Sequence, residues 1–429
     1  MLAVLICLLL LLLIIIGAPI AYSLLIAATL GLFLQMGEGP LLGFLQTSPY
    51  RTSASFLLTT IPMFLLMAEF LAGGRLTKDL FRAAHYWFGN LRAGLALATT
   101  AASAGMAALS GSSPAAAATM AAISVPEMRK YGYSDRLSLA TVAAAGTLAV
   151  MIPPSIILIL YGILTESSIG RLFVAGLIPG LMTAAGYVTL IMVWARVKPG
   201  IAPPLNQTFT RQEQFRSLKP VWPALLLIFL VLGGIYSGLV TATEAGALGA
   251  LGALVIGVLV GGLRSKGIIE ALKRTAKTTA MIFAIIIAAS LFGYFLSSTR
   301  VSMELIQWVD SLGVSPVMVL VFILAIYLLL GAFLDPVSIL ILTLPFTFPI
   351  VIALGYDPIW FGIIATKMVE IGLVTPPVGI NVFVTAGAVN AKLGDAFHGV
   401  ALFVAVDLVI VAILVMNPGI VTFLPNLLF

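Results

Sequence analysis

The residues best placed to do chemistry in this chain are two Pro-Pro steps buried in apolar sequence. Met151-Ile152-Pro153-Pro154-Ser155 and Val374-Thr375-Pro376-Pro377-Val378-Gly379 fall in the middle of apolar stretches 138–164 and 358–387. Proline lacks a backbone N–H and drives the preceding residue out of helical geometry, so each helix must break there. The break frees carbonyl and N–H groups, which hydrocarbon tolerates only inside protein or along an aqueous cavity. Freed carbonyls suit a small cation such as Na⁺, and the N-terminus of the following half-helix suits an anion.

Two turn-like sequences bring side-chain oxygen to the same depth. Ser110-Gly111-Ser112-Ser113-Pro114 and Gly331-Ala332-Phe333-Leu334-Asp335-Pro336 sit halfway along apolar stretches 91–125 and 314–353. Both stretches read as re-entrant hairpins, the alternative being pairs of ordinary crossings. Ser110, Ser112 and Ser113 offer oxygen to a cation or a hydrogen bond to a carboxylate. Asp335 is either a functional acid at membrane depth or the N-cap of a helix opening at Pro336. Asn381, one turn past the second break, either binds a substrate oxygen or bonds a neighbouring helix. Lys367 and Glu370 are three apart on one helical face and either neutralise each other or relay ions. Glu244 is expected to cap its helix, and Glu69 and Asp407 to find packing partners. Gly246, Gly249, Gly252, Gly257 and Gly261 predict close helix approach, as does the Ala-rich arm 115–122. Arg51 reads as an interface anchor.

The elements that must hold these residues are membrane helices. Hydrophobic residues make up 61% of the 429 and charged residues 9%, where a soluble domain carries about 25% charged. Ten crossings are expected, at 1–16, 18–36, 55–74, 138–164, 172–195, 220–237, 241–262, 278–297, 358–387 and 396–417. The first lacks the basic n-region of a signal peptide. Of the 22 lysines and arginines, 18 fall on one side of this map and 3 on the other, with Lys367 inside a span. The excess of basic residues assigns the first side to the cytoplasm and both termini to the periplasm. The net charge of +6 is thus an orientation signal, and a nucleic-acid partner is excluded. Cys7 stands alone, and His85 and His398 are far apart, so no disulfide or clustered Cys/His metal site is expected within the chain. No nucleophile motif or phosphate loop suggests an enzyme.

An internal repeat organises the chain. Pro126, Gly132, Tyr133, Pro153 and Pro154 recur 223 positions later as Pro349, Gly355, Tyr356, Pro376 and Pro377. Residues 1–200 (scaffold 1–74, hairpin 91–125, broken helix 138–164) and 218–429 (scaffold 220–297, hairpin 314–353, broken helix 358–387) are the two copies, joined by a cytoplasmic linker at 201–217. Five crossings per copy turn the second upside down relative to the first. The expected fold is an all-α polytopic membrane protein, an inverted repeat with two re-entrant hairpins and two broken helices.

Ser110-Gly111-Ser112-Ser113-Pro114-Ala115, Thr241-Ala242-Thr243-Glu244-Ala245, Gly331 to Pro336 and Thr375-Pro376-Pro377-Val378-Gly379-Ile380-Asn381 together resemble the large membrane subunit (DctM or SiaM type) of TRAP transporters, the tripartite ATP-independent periplasmic transporters. Ala242 departs from the pattern, relatives often carrying Pro there. The resemblance implies an elevator-type member of the ion-transporter superfamily in a bacterial inner membrane. It implies coupling to two or more Na⁺ ions, with a small four-helix membrane subunit and a periplasmic binding protein as partners. The implied cargo is an organic acid, a sialic acid or a C4-dicarboxylate. It places one Na⁺ site at Gly111, Ser112, Ser113, Thr147, Met151 and Pro153, and another at Gly331, Asp335, Gly372 and Thr375. Substrate is expected at Ser110, Ser113, Ser155, Thr375, Gly379 and Asn381. The rival readings are a stand-alone divalent-anion/Na⁺ symporter of related architecture and a non-transporting membrane scaffold.

Overall fold

The structure is a computed structural model describing residues 2–72, 75–204, 209–311 and 313–429. Met1 and 73–74 of the first scaffold segment, and 205–208 of the linker, lie outside the described residues. Every regular element described is helical. Each expected crossing coincides with a helix or a broken helix: Leu2–Ile15, Ile20–Met36, Phe56–Ala72, Asp135–Met151 with Ile156–Leu164, Ile169–Val197, Trp222–Tyr236, Ala242–Leu259, Ser265–Thr299, Pro358–Gly372 with Ile380–Ala388, and Leu393–Met416. Five described helices are long and apolar enough to cross a membrane alone, or eight if each of three bent pairs is one span. The first two helices have 14 and 17 residues, short of the roughly 20 that an upright span needs.

Several helices were not foreseen. Leu76–Phe88 is amphipathic, with Leu76, Leu80 and Phe81 buried and Lys78 and Arg82 exposed. It was missed because its apolar run is too short and too charged to read as a span. Glu38–Ser53, Arg211–Leu218, Val301–Ser311 and Gly419–Leu428 are further helices outside the expected crossings. Ser265–Thr299 begins well before the expected span and has 35 residues. At 1.5 Å per residue it is about 52 Å long, so its N-terminal turns, with Lys266, Lys273 and Arg274, extend past a hydrocarbon core of about 30 Å.

Helices from the N-terminal and C-terminal halves pack on one another. Phe56–Ala72 lies on Ala242–Leu259, and Ile20–Met36 on Ser265–Thr299. The expected glycine seam makes the first contact close. A Cβ at Gly246 would sit 3.1 Å from Met63 Cβ, and one at Gly249 2.6 Å from the Met67 sulfur. Thr60 and Thr243 share a hydrogen bond of 2.6 Å across this seam. Glu69 finds its partner in Arg274 at 2.8 Å. Glu244 caps as expected: its carboxylate accepts the Thr241 N–H at 2.8 Å while Thr241 Oγ1 accepts the Glu244 N–H at 3.3 Å. Replacing Thr241 with Ala should cost about 1 kcal/mol, read as a small fall in thermal midpoint.

Both hairpins are helix–turn–helix units, Gly94–Ser110 with Ser113–Lys130 and Pro316–Gly331 with Pro336–Ala353. A bidentate pair ties the first hairpin to the broken helix that follows it, Arg129 donating to both Asp135 oxygens at 2.7 and 2.8 Å. The pair is over a third exposed, so Asp135→Asn should cost under about 1 kcal/mol of stability, measurable by thermal unfolding in detergent.

Candidate functional site

The first hairpin tip rests on the first break. The helix ends at Met151, Ile152 is extended, and helix resumes at Ile156. Gly111 takes φ +58, and a Cβ there would lie 3.2 Å from the Pro154 carbonyl oxygen. A side chain at this point is excluded by both conformation and space. The carbonyls of Ile152, Pro153 and Pro154 accept no hydrogen bond from the described residues. Ser112 stands at the N-cap of Ser113–Lys130, yet its hydroxyl takes no helix N–H. Ser110 donates to the Ser112 carbonyl at 3.5 Å. Ser155 is fully buried and caps the resumed helix, accepting from the Leu158 N–H at 3.3 Å.

Two residues expected at this site face the other way. The Thr147 hydroxyl donates to the Ala144 carbonyl at 2.6 Å and lies 3.2 Å from the Tyr187 hydroxyl. The Met151 carbonyl oxygen sits 2.5 Å from where a Gly176 Cβ would be. Both groups therefore meet Ile169–Val197.

The second tip and break are more open. Gly331 and Gly372 touch backbone to backbone: a Cβ at Gly331 would be 2.8 Å from the Gly372 Cα. Asp335 is exposed and caps Pro336–Ala353, accepting the Ser338 N–H at 3.1 Å and the Ser338 hydroxyl on its other oxygen. Thr375 donates to the Ile371 carbonyl at 2.7 Å. The carbonyls of Thr375, Pro376 and Pro377 accept nothing from the described residues. Pro376, Pro377 and Val378 are exposed, whereas Pro153, Pro154 and Ser155 are buried. Gly379, at φ +58, turns the chain into Ile380–Ala388.

A polar network joins the N-terminal and C-terminal halves between these sites. Ser113 donates to Glu370 Oε2, linking the first hairpin to the second broken helix. Asn381 donates to the Ala143 carbonyl at 3.5 Å, linking the half-helix after the second break to the helix before the first. Asn381 Oδ1 and Glu370 Oε1 are buried without a partner among the described residues. Lys367 does not pair with Glu370. Its Nζ reaches Asp407 Oδ1 at 2.6 Å, and Tyr187 donates to Asp407 Oδ2 at 2.7 Å. Lys367, Asp407 and Glu370 are all at most 1% exposed. The composition flags these charges, since an ion at membrane depth needs a partner. It does not show that Glu370 meets a serine 257 positions away.

Paired hairpin tips set against paired helix breaks in an all-helical, multi-pass chain define a membrane transporter fold. The Alcanivorax borkumensis YdaH transporter shares that fold, with a TM-score of 0.61 over 89% of this chain and 90% of that one at 13% identity. The family model for the tripartite ATP-independent periplasmic transporter, DctM component, matches residues 6–420, and the chain belongs to that family. It is 37% identical to the C4-dicarboxylate TRAP transporter large permease protein DctM of Pseudomonas aeruginosa, over 88% of each chain. It is 34% identical to the isethionate TRAP transporter permease protein DctMQ of Oleidesulfovibrio alaskensis, over 95% of this chain and 64% of that one. The family is one of transporter permeases, not enzymes.

Proposed function

We propose that this large permease carries an organic anion inward across the bacterial inner membrane together with Na⁺. A periplasmic binding protein delivers the anion, and a small four-helix membrane subunit completes the system. The observation that carries this reading is the pair of tip-to-break junctions, each with backbone carbonyls left free of hydrogen bonds. Unwound carbonyls and a serine hydroxyl are hard oxygen donors of the kind that hold Na⁺ in broken-helix transporters. Gly111, Ser112, Ser113 and Pro153 serve the first ion. Gly331, Asp335, Gly372 and Thr375 serve the second.

The anion is served by helix ends. The one lysine in the second broken helix, Lys367, is bound to Asp407. The N-terminus of Ile380–Ala388, opening beside the exposed Pro376–Val378 segment, supplies partial positive charge. Asn381 and Ser110 supply polar contacts. The similarity to a C4-dicarboxylate permease favours a small carboxylate. The relative named for isethionate makes a sulfonate the alternative anion.

In this reading the copies are inverted, with both termini periplasmic. The hairpins and broken helices move as one body against a scaffold of 1–74 and 220–297. A cavity of 560 Å³ lies between the Ser265–Thr299 scaffold helix and the second hairpin arm, along the boundary where such sliding must occur. Na⁺ and anion together drive the transition only by favouring one state over the other.

Uptake in proteoliposomes with the binding protein and small subunit tests this. An imposed Na⁺ gradient should drive accumulation of succinate or a related acid. Ser112→Ala and Asp335→Ala should each raise the Na⁺ concentration for half-maximal uptake by roughly tenfold. Unchanged Na⁺ dependence in both variants overturns the ion sites. Uptake independent of the binding protein indicates the stand-alone symporter instead.

A further inference from the structure

We infer that Glu370 is the counter-charge of the cation site at the first hairpin tip, a positioning residue supplied to that site by the opposite copy of the repeat. The inference rests on the reading that the first tip binds Na⁺. It assigns to a residue outside the tip and the break a role that neither of those segments fills.

Glu370 is wholly buried, and Ser113 is 1% exposed. Ser113 gives its one hydroxyl proton to Glu370 Oε2. A serine hydroxyl has one proton and two acceptor sites, so this bond leaves Ser113 an acceptor only. It suits Ser113 to coordinate a cation and removes it as a donor to a substrate carboxylate. Ser113 thus belongs to the ion site alone, although its residue type allows both roles. The hydroxyl sits two residues from Gly111, which abuts the free Pro154 carbonyl.

The surroundings of Glu370 point to a missing positive charge. Its other oxygen, Oε1, is buried with no hydrogen-bond partner among the described residues. The nearest lysine in sequence, Lys367, is bound to Asp407, and no basic group among the described residues lies within ion-pair distance of Glu370. A buried carboxylate held by a single serine is costly unless a cation comes to it. A second polar side chain from the C-terminal half, Asn381, has an Oδ1 that is likewise buried and unpartnered among the described residues. Asn381 and Ser113, the partner of Glu370, meet the same stretch of the first broken helix. Asn381 bonds the Ala143 carbonyl, and the Ser113 carbonyl oxygen lies 3.2 Å from where a Gly146 Cβ would be. Filling the first ion site therefore draws on both copies, which gives one ion a grip on both broken helices.

The test is equilibrium Na⁺ binding to the purified full-length chain, read as Na⁺-specific thermal stabilisation in titrations at constant ionic strength with choline as the replacing cation. Glu370→Gln keeps the shape and a hydrogen-bond acceptor while removing the charge. It should raise the half-saturating Na⁺ concentration by roughly tenfold or more, the scale of a full charge lost beside a cation in a poorly screened site. Without Na⁺ its thermal midpoint should be no lower than that of the parent chain. Glu370→Asp, which retains the charge, should fall between. Ser113→Ala should weaken Na⁺ in the parent chain and have a much smaller further effect in the Glu370→Gln background, since the two act as a unit. Parent-like Na⁺ affinity in Glu370→Gln, or additive effects of the two substitutions, overturns this role while leaving Na⁺ coupling intact. If the parent chain shows no Na⁺-specific stabilisation and its uptake is indifferent to Na⁺, the reading beneath it falls as well. Should Glu370→Gln fail to fold, the Na⁺ affinity of Glu370→Asp decides, and a value equal to the parent's overturns the role.

Discussion

Asp407→Asn should lower the thermal midpoint of the purified protein by about 5 °C and sharply reduce the folded yield. Asp407 holds Lys367 at 2.6 Å, and neither side chain is more than 1% exposed. Asparagine keeps an acceptor oxygen but not the charge, so the ammonium stays buried without its counter-ion, the Tyr187 ring lying 5.9 Å away. Breaking a buried pair from one side costs about 3–5 kcal/mol, because the uncompensated charge remains. Replacing both partners with apolar residues of similar size removes that charge. The double substitution Lys367→Met with Asp407→Leu should recover most of the midpoint. A single substitution as stable as the parent would show that the pair contributes nothing net. Stability restored in the double variant without transport would show that the pair also acts in the cycle.

Gly372→Ala should abolish most uptake while leaving a folded protein. A Cβ at this position would lie 2.5 Å from the Gly331 Cα and 2.7 Å from the Leu328 carbonyl oxygen. Both are backbone atoms, so no rotamer relieves the clash, and the hairpin arm must shift off the broken helix. Overpacking of this kind typically costs 1–3 kcal/mol, which a large helical protein survives. The displacement falls where the tip and the break together offer their carbonyls. Misplacing such donors by about 1 Å is enough to cost on the order of a hundredfold. Uptake at parental rates would mean that this junction tolerates a gap, and that the second ion site is not built from it. Gly355→Ala is a useful comparison, because nothing lies within 4 Å of its added Cβ and only its φ of +83 is strained.

Much of this protein was legible in its residues. Proline cannot continue a helix and cannot donate, so Pro153-Pro154 and Pro376-Pro377 determined where both helices break, whatever surrounds them. The recurrence of those prolines, with Gly132 and Tyr133, gave the repeat, and the unevenness of 22 basic residues set the expected orientation. Glu244 was readable as a cap, and a cap was one of the two readings of Asp335, because capping is a local interaction over three residues. Gly246 and Gly249 were readable as a seam because small residues leave few other uses for a helix face.

Only the tertiary structure decided which charged and polar groups meet. Spacing put Lys367 beside Glu370, yet the lysine reaches a helix 40 positions on and the glutamate a serine 257 positions back. On one helix face, three-residue neighbours compete with every helix packed against that face. In a low-dielectric core the partner with the better hydrogen-bond geometry wins. Thr147 and Met151 lie beside the first break in sequence but turn toward Tyr187 and Gly176, because side-chain direction around a broken helix depends on the angle of the break. The residues thus determined the two places where the backbone opens. Packing decided that Ser113 answers to Glu370.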